Sequence, residues 1–145
     1  MNVHNLGSHV VTVNRIPDVL KALTGDPIDA AVYAGGLVVE REAKVSAPFL
    51  TGNLRRSIHT VSNAGESDGG DSGQLPTPPK GEAHVGTNVE YARRIELGFV
   101  GEDSLGRTYN QMGQPYLLPA LENNTREIDQ TVGEVIAEAI ERAAR

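Results

Sequence analysis

The stretch from Asp26 to Ser46 limits what this chain can fold into more than any other. Asp26 is a good helix N-cap and Pro27 suits the first helical position. Asp29 puts negative charge in the first turn, where the helix dipole favours it. Ile28, Ala31, Val32, Gly35, Val39 and Ala43 then recur at steps of three and four, giving one apolar stripe. Pro48 disfavours helix at Ala47, so the helix is expected to end near Ser46. Gly35-Gly36 costs helix propensity in mid-run. Close packing against a neighbouring element is the favoured explanation, ahead of a functional kink. A long helix with one apolar stripe needs partners, and the rest of the chain must supply them.

A second helix supplies one. From about Tyr116 or Pro119 the chain reads as helix to its end, with Leu121, Ile128, Val132, Val135, Ile136, Ala139 and Ile140 on one face. Glu122–Arg126, Glu138–Arg142 and Glu141–Arg145 are i,i+4 pairs in the favourable order. Asn123-Asn124-Thr125 is expected to interrupt this helix near its start. Between the two helices, Ser57–Ser62 reads as a strand and Ala83–Tyr91 as its antiparallel return. The intervening residues 63–82, rich in Gly, Ser, Pro and acid, have too little apolar surface to offset ordering. They are expected to be a mobile loop insertion. Ala92–Leu97 reads as a short helix stopped by Gly98, and 99–114 as a second irregular stretch. At the start, 1–14 reads as a flexible arm or edge strand around Val10–Val13, and 16–23 as a short helix closed by Thr24-Gly25. The fold class expected is α+β, one domain over 1–145: a small antiparallel sheet packed against a long central helix and a C-terminal helix, with long loops. At 145 residues the chain can bury roughly 70% of the surface its unfolded form exposes, enough for a real core.

Little in the sequence points to catalysis. There is no cysteine, which removes disulfides, thiolate chemistry and cysteine-based zinc sites. His4, His9, His59 and His84 show no HxH or HExxH spacing, and no metal is expected. No GxSxG elbow, P-loop or strand-linked GxGxxG occurs, and Ser57 falls within a strand pattern. Glu90 and Glu96 flank arginines and read as surface ion pairs more readily than as an acid–base pair. No secretory leader or membrane span is visible. The formal net charge of −6 disfavours gripping nucleic acid but suits a surface past which DNA slides. Arg55-Arg56 and Arg93-Arg94 are the densest positive spots. With Glu90 and Glu96 they are candidate polar contacts between subunits.

Three ordered stretches bear on function. The first is Lys44 with Ala47-Pro48, Thr51-Gly52, Leu54-Arg55 and Ser57-Ile58. The second is Val85-Gly86-Thr87, Val89, Tyr91-Ala92, Ile95-Glu96 and Gly98. The third is Gln114-Pro115-Tyr116-Leu117 with Pro119-Ala120-Leu121. Together they resemble the tail-component family of long-tailed bacteriophages typified by the tenth gene product of HK-type lambdoid phages, over about residues 28–140. Residues 1–27 fall outside the match, the loop at 63–82 is long, and Phe99 follows Gly98 where a small or hydroxyl residue is expected.

The resemblance implies a structural virion protein, not an enzyme and without cofactor. It would form a ring of sixfold or twelvefold symmetry in the neck, joining head parts to the tail tube, or act as a tail terminator. Its partners would be itself and the adjacent head-completion and tail-tube proteins. DNA would pass through the lumen unbound, and the protein would reside in the virion after assembly in the host cytoplasm. Pro48, Thr51, Gly52, Leu54, Ser57, Gly86, Thr87, Tyr91, Ala92, Gly98, Pro115 and Pro119 would be its structural motif residues. Two other classes remain open: a peptide- or protein-binding module using a sheet edge, and a small hydrolase drawing on Ser57, His59, His84 and Glu90.

Overall fold

The computed structural model describes residues 2–5, 11–14, 16, 17, 21, 26–49 and 52–145. Thr51 and most of the short helix expected at 16–23 lie outside these residues. Near the start, strands β1 (Asn2–Asn5) and β2 (Val11–Asn14) pair antiparallel, from Asn2 opposite Asn14 to Asn5 opposite Val11.

The long helix α1 (Asp26–Ser46) has the boundaries its end signals dictate. Gly35 and Gly36 explain themselves through what lies against them. A Cβ on Gly35 would sit 2.8 Å from Val132 Cγ2, on the C-terminal helix. A Cβ on Gly36 would sit 2.6 Å from Thr60 Cγ2, in the sheet. One glycine admits the partner helix and the next admits the sheet, so the pair marks where α1 is sandwiched most closely.

After Pro48 the chain departs from expectation. Residues 53–57 form a helical turn, α2 (Asn53–Ser57), and the strand β3 begins only at His59 (His59–Ser62). Ser57, read as a strand residue, therefore belongs to a helix. Two local causes act: Gly52 takes φ 76°, turning the chain after α1, and the Ser57 hydroxyl donates to the Leu54 carbonyl at 2.7 Å.

In the sheet β3 is central, between β4 (Gly65–Glu66) and β5 (Ala83–Gly86), and both pairings are antiparallel. The strand pair expected around 63–82 is thus present, with His59 opposite Gly86 and Val61 opposite His84. All four β3 residues are buried. One face meets α1 at Gly36. On the other, Leu75 and Gly69 lie against His59.

Helix α3 (Ala92–Leu97) follows, and then comes a second correction. The stretch expected to be irregular at 99–114 is largely a β-hairpin, β6 (Gly98–Glu102) with β7 (Thr108–Met112), registered from Gly98 opposite Met112 to Glu102 opposite Thr108. Three glycines concealed it, because neither strand alternates cleanly. The turn carries the signal instead, since the Asp103 carboxylate accepts the N–H groups of Leu105 and Arg107, each at 2.9 Å.

The C-terminal helical region divides into α4 (Leu117–Glu122) and α5 (Thr125–Ala144). The interruption falls at Asn123-Asn124, where the Asn124 amide donates to the Ala120 carbonyl. The core gathers Val39, Ala43, Leu54, Ile58, Ile95 and Tyr116, with Ala47, Ala92 and Ala120, where helices and sheet meet. No residue of α5 is fully buried, so it lies as an outer layer on α1. Among the described residues, no helix is long and apolar enough to cross a membrane.

Candidate functional site

The three sequence stretches converge on one region. A chain of hydroxyl hydrogen bonds joins the first to the second. The Val89 N–H donates to Thr87 Oγ1 at 3.1 Å, and Ser57 Oγ lies 2.6 Å from Thr87 Oγ1 while donating to the Leu54 carbonyl. Because the Ser57 proton is committed to Leu54, Thr87 is the donor in the middle link.

Glu96 joins the second stretch to the third. Its Oε2 accepts the N–H groups of Tyr116 and Leu117, at 2.8 and 3.0 Å, and its Oε1 accepts that of Leu118 at 3.0 Å. One carboxylate thus satisfies three donors at the start of α4, which Pro115 and Pro119 rule out as a continuous earlier helix. Beside it Tyr116 is fully buried, and its hydroxyl has no hydrogen-bond partner among the described residues. Burial first, then the charge of Glu96 and the neighbouring Tyr91, push its pKa up to about 12.

The six residues expected at subunit contacts divide equally. Arg55 donates from Nε to the Ala47 carbonyl at 2.9 Å and lies 5.3 Å from the Phe49 ring. Arg94 stacks 3.9 Å from the centre of Phe99 and 5.5 Å from that of Tyr109, bracing the β6–β7 hairpin. With Glu96 serving α4, these three work inside the chain. Arg56, Glu90 and Arg93 are exposed, and their side chains make no hydrogen bond or ion pair among the described residues.

The remaining motif residues are architectural. Pro48 follows the end of α1, Leu54 and Ala92 are core residues, and Gly86 ends β5 opposite His59. The Tyr91 hydroxyl accepts from Asn53 at 3.5 Å. Gly98 has φ 77°, and a Cβ there would lie 2.5 Å from the Gln111 carbonyl oxygen. Only glycine fits that crossing of the hairpin's two ends.

No nucleophile–base pair forms from the candidates. The Ser57 hydroxyl is engaged with Leu54 and Thr87. His59 is buried, its Nδ1 on the Ser57 carbonyl and its Nε2 accepting the Leu75 N–H, both at 2.8 Å. Those partners assign the neutral ring with the proton on Nδ1. His84 is exposed, with Nε2 3.6 Å from the Glu82 carboxylate. No cluster of potential metal ligands occurs among the described residues.

Two side chains that sequence reasoning left aside turn out to organise the long segment 63–82. Glu40 is 7% exposed. Its Oε1 accepts from Lys44 at 2.6 Å, and its Oε2 accepts from the hydroxyls of Thr60 at 2.8 Å and Ser67 at 2.6 Å. Burial raises its pKa, but the hydrogen bonds from Lys44, Ser67 and Thr60 outweigh that, and the net position is below the ordinary 4.5. Asp29, read only as a helix-dipole residue, is 2% exposed and accepts the Gly81 N–H at 2.6 Å. The segment also closes on itself, the Asn63 amide donating to the Pro78 carbonyl. Polar anchors hold both of its ends. The Glu40–Lys44 spacing was readable as an i,i+4 pair; its reach to Thr60 and Ser67 was not.

Beside β5 lies an open apolar space. A groove of about 540 Å³ runs between α1, β5, α4 and α5, lined by Val32, Val39, Val85, Leu118, Leu121 and Val132 among others. A second cavity of about 470 Å³ shares Val85, Glu96 and Leu117 with it, and adds His84, Thr87 and Arg93. Ala83 lines only the first space, His84 and Gly86 only the second, and Val85 both, so the two meet along β5, an edge strand of its sheet. No family model matches the chain, and no curated protein or solved structure matches it.

Proposed function

We propose that this is an assembly protein, acting through contacts with other chains and not through chemistry at a site. More particularly, it is a ring subunit of the neck of a long-tailed bacteriophage, joining the head to the tail tube or completing the tail end. The observation that carries the reading is the convergence of the three motif stretches. Ser57 meets Thr87 and Glu96 meets Tyr116–Leu118, so the residues behind the resemblance serve architecture at the junction of helices and sheet. Residues kept for chemistry would present unspent donors, acceptors or nucleophiles, and these are spent on each other and on the backbone.

The surface agrees with such a role. Val100, Leu105 and Met112 on the hairpin are 77%, 74% and 87% exposed, and Leu118 and Leu121 flank an open apolar groove. Large exposed apolar patches mark interaction surfaces. The net charge of −6 suits a lumen past which DNA must move, as like charge repels phosphate.

The test is a phage stock carrying an early stop in this coding sequence. Filled heads and separate tails should accumulate, and adding the purified protein to that lysate should restore joined particles. Joined, infectious particles from the stop mutant would overturn the proposal. Deleting 68–79 is a poorer test, because that span includes Leu75 on His59 and the Pro78 carbonyl on Asn63.

A further inference from the structure

We infer that the β6–β7 hairpin of one copy seats in the apolar groove beside β5 of a second copy, making a head-to-tail contact. The inference rests on the ring reading above and specifies which surfaces close the ring. On the donor side, the hairpin touches the rest of its own chain chiefly through α3. It nevertheless carries Val100, Leu105 and Met112 at 74–87% exposure. On the acceptor side, the groove has Leu118 and Leu121 exposed at its rim, 54% and 48%. The strand alongside, β5, is a sheet edge, and alternate N–H and C=O groups of an edge strand point outward.

Within one chain the two surfaces are held apart. The hairpin base is clamped where Gly98 and Gly113 cross, a Cβ on Gly113 lying 2.8 Å from the Glu96 carbonyl oxygen. The Gln114 N–H donates to the Ile95 carbonyl at 2.6 Å and closes the same base. No residue of the hairpin lines the groove, while Val100, Leu105 and Met112 stay exposed on the hairpin. A surface and its complement on one chain, unable to meet each other, make a heterologous contact, which closes into a ring or runs on as a filament.

Charge points the same way. Glu102 on β6 and Arg93 on the second cavity are both exposed and make no ion pair among the described residues. Each of the exposed apolar side chains offers on the order of 100 Å². With Leu97, also 68% exposed, they supply roughly the apolar share of an interface of about 1,200 Å². Every subunit makes that contact twice, once as donor and once as acceptor.

The experiment uses two variants of the full chain, a hairpin variant (Val100→Asp with Met112→Asp) and a groove variant (Leu118→Asp with Leu121→Asp). Wild type should self-associate in light scattering and sedimentation, and each variant alone should stay monomeric. An equimolar mixture should form a dimer and stop there, since only one productive hairpin–groove pair remains. Oligomers from either variant alone, or a mixture that stays monomeric while both variants melt like wild type, would overturn the inference.

A charge swap guards against misfolding. Glu102→Arg and Arg93→Glu should each weaken association about fivefold, and the double variant should recover it. Independent effects without recovery count against the contact. Rings from wild type that ignore all these changes would overturn the hairpin contact and leave the neck reading standing. A wild type that is monomeric at about 1 mM would also overturn the contact, and the stop-mutant lysate judges the neck reading separately.

Discussion

Replacing Glu40 by alanine should unfold this protein more readily than any other single loss of charge among the described residues. The carboxylate lies on α1 and receives three side-chain hydrogen bonds, from Lys44, Thr60 and Ser67. It therefore ties the central helix to β3 and to the start of the 63–82 segment in one group. Hydrogen bonds to a charged group contribute about 1.5–3 kcal/mol each before non-additivity, and breaking a buried ion pair costs about 3–5 kcal/mol. Thr60 is fully buried, so its hydroxyl would lose its acceptor with little water to replace it. Lys44 is about a third exposed and can turn to solvent, which trims the loss. Taken together, Glu40→Ala should cost about 3–5 kcal/mol, or roughly 10–20 °C in Tm for a chain of this size.

Urea and thermal unfolding at pH 7 measure that loss, and the pH dependence tests its cause. The folded pKa of Glu40 lies below its ordinary value, so its stabilisation is fully present above 4.5 and is lost as pH falls through the folded value. The gap between wild type and Glu40→Gln should therefore be widest near neutrality and close under acid. Hydrogen exchange should localise the damage, with faster exchange at Thr60 and Ser67, whose backbone pair closes at 2.9 Å. A loss under 1 kcal/mol at pH 7, or a gap that is flat with pH, would refute the idea that the charged carboxylate is the hub.

Glu96→Ala should cost about 1–2 kcal/mol in urea unfolding, the range for a lost helix cap, because three N–H groups at the start of α4 lose their acceptor. Its exchange signature should appear at Tyr116–Leu118, not in the sheet. Gly36→Ala should destabilise by about 1–3 kcal/mol despite its gain in helix propensity, since the new methyl meets fully buried Thr60 at 2.6 Å. Gly35→Ala should come out milder in the same assay. Its nearest neighbour is the tip of half-buried Val132 on the outer helix, which can move.

What the sequence disclosed and what it concealed follow from the range of the forces involved. The limits of α1, the break at Asn123-Asn124 and the pairing of β3 with β5 are written in local residues: caps, prolines and short apolar runs. Gly35-Gly36 already signalled close packing, though not that each glycine serves a different neighbour. The hairpin at 98–112 escaped because its strands are stabilised by contacts between distant side chains, with Arg94 stacked on Phe99 and Tyr109, and not by alternation. The internal partners of three candidate interface residues were hidden for a related reason. Charge on a sequence is counted as available, whereas Glu96, Arg55 and Arg94 are consumed within the fold. The same accounting favours apolar side chains over the arginine pairs as the association surface. Once internal contacts are subtracted, Arg56, Glu90 and Arg93 remain as scattered exposed charges worth at most about 1 kcal/mol each. Val100, Leu105 and Met112 remain as large exposed apolar side chains on one hairpin. A ring held by those side chains should tolerate salt, and one held by the arginines should come apart in it.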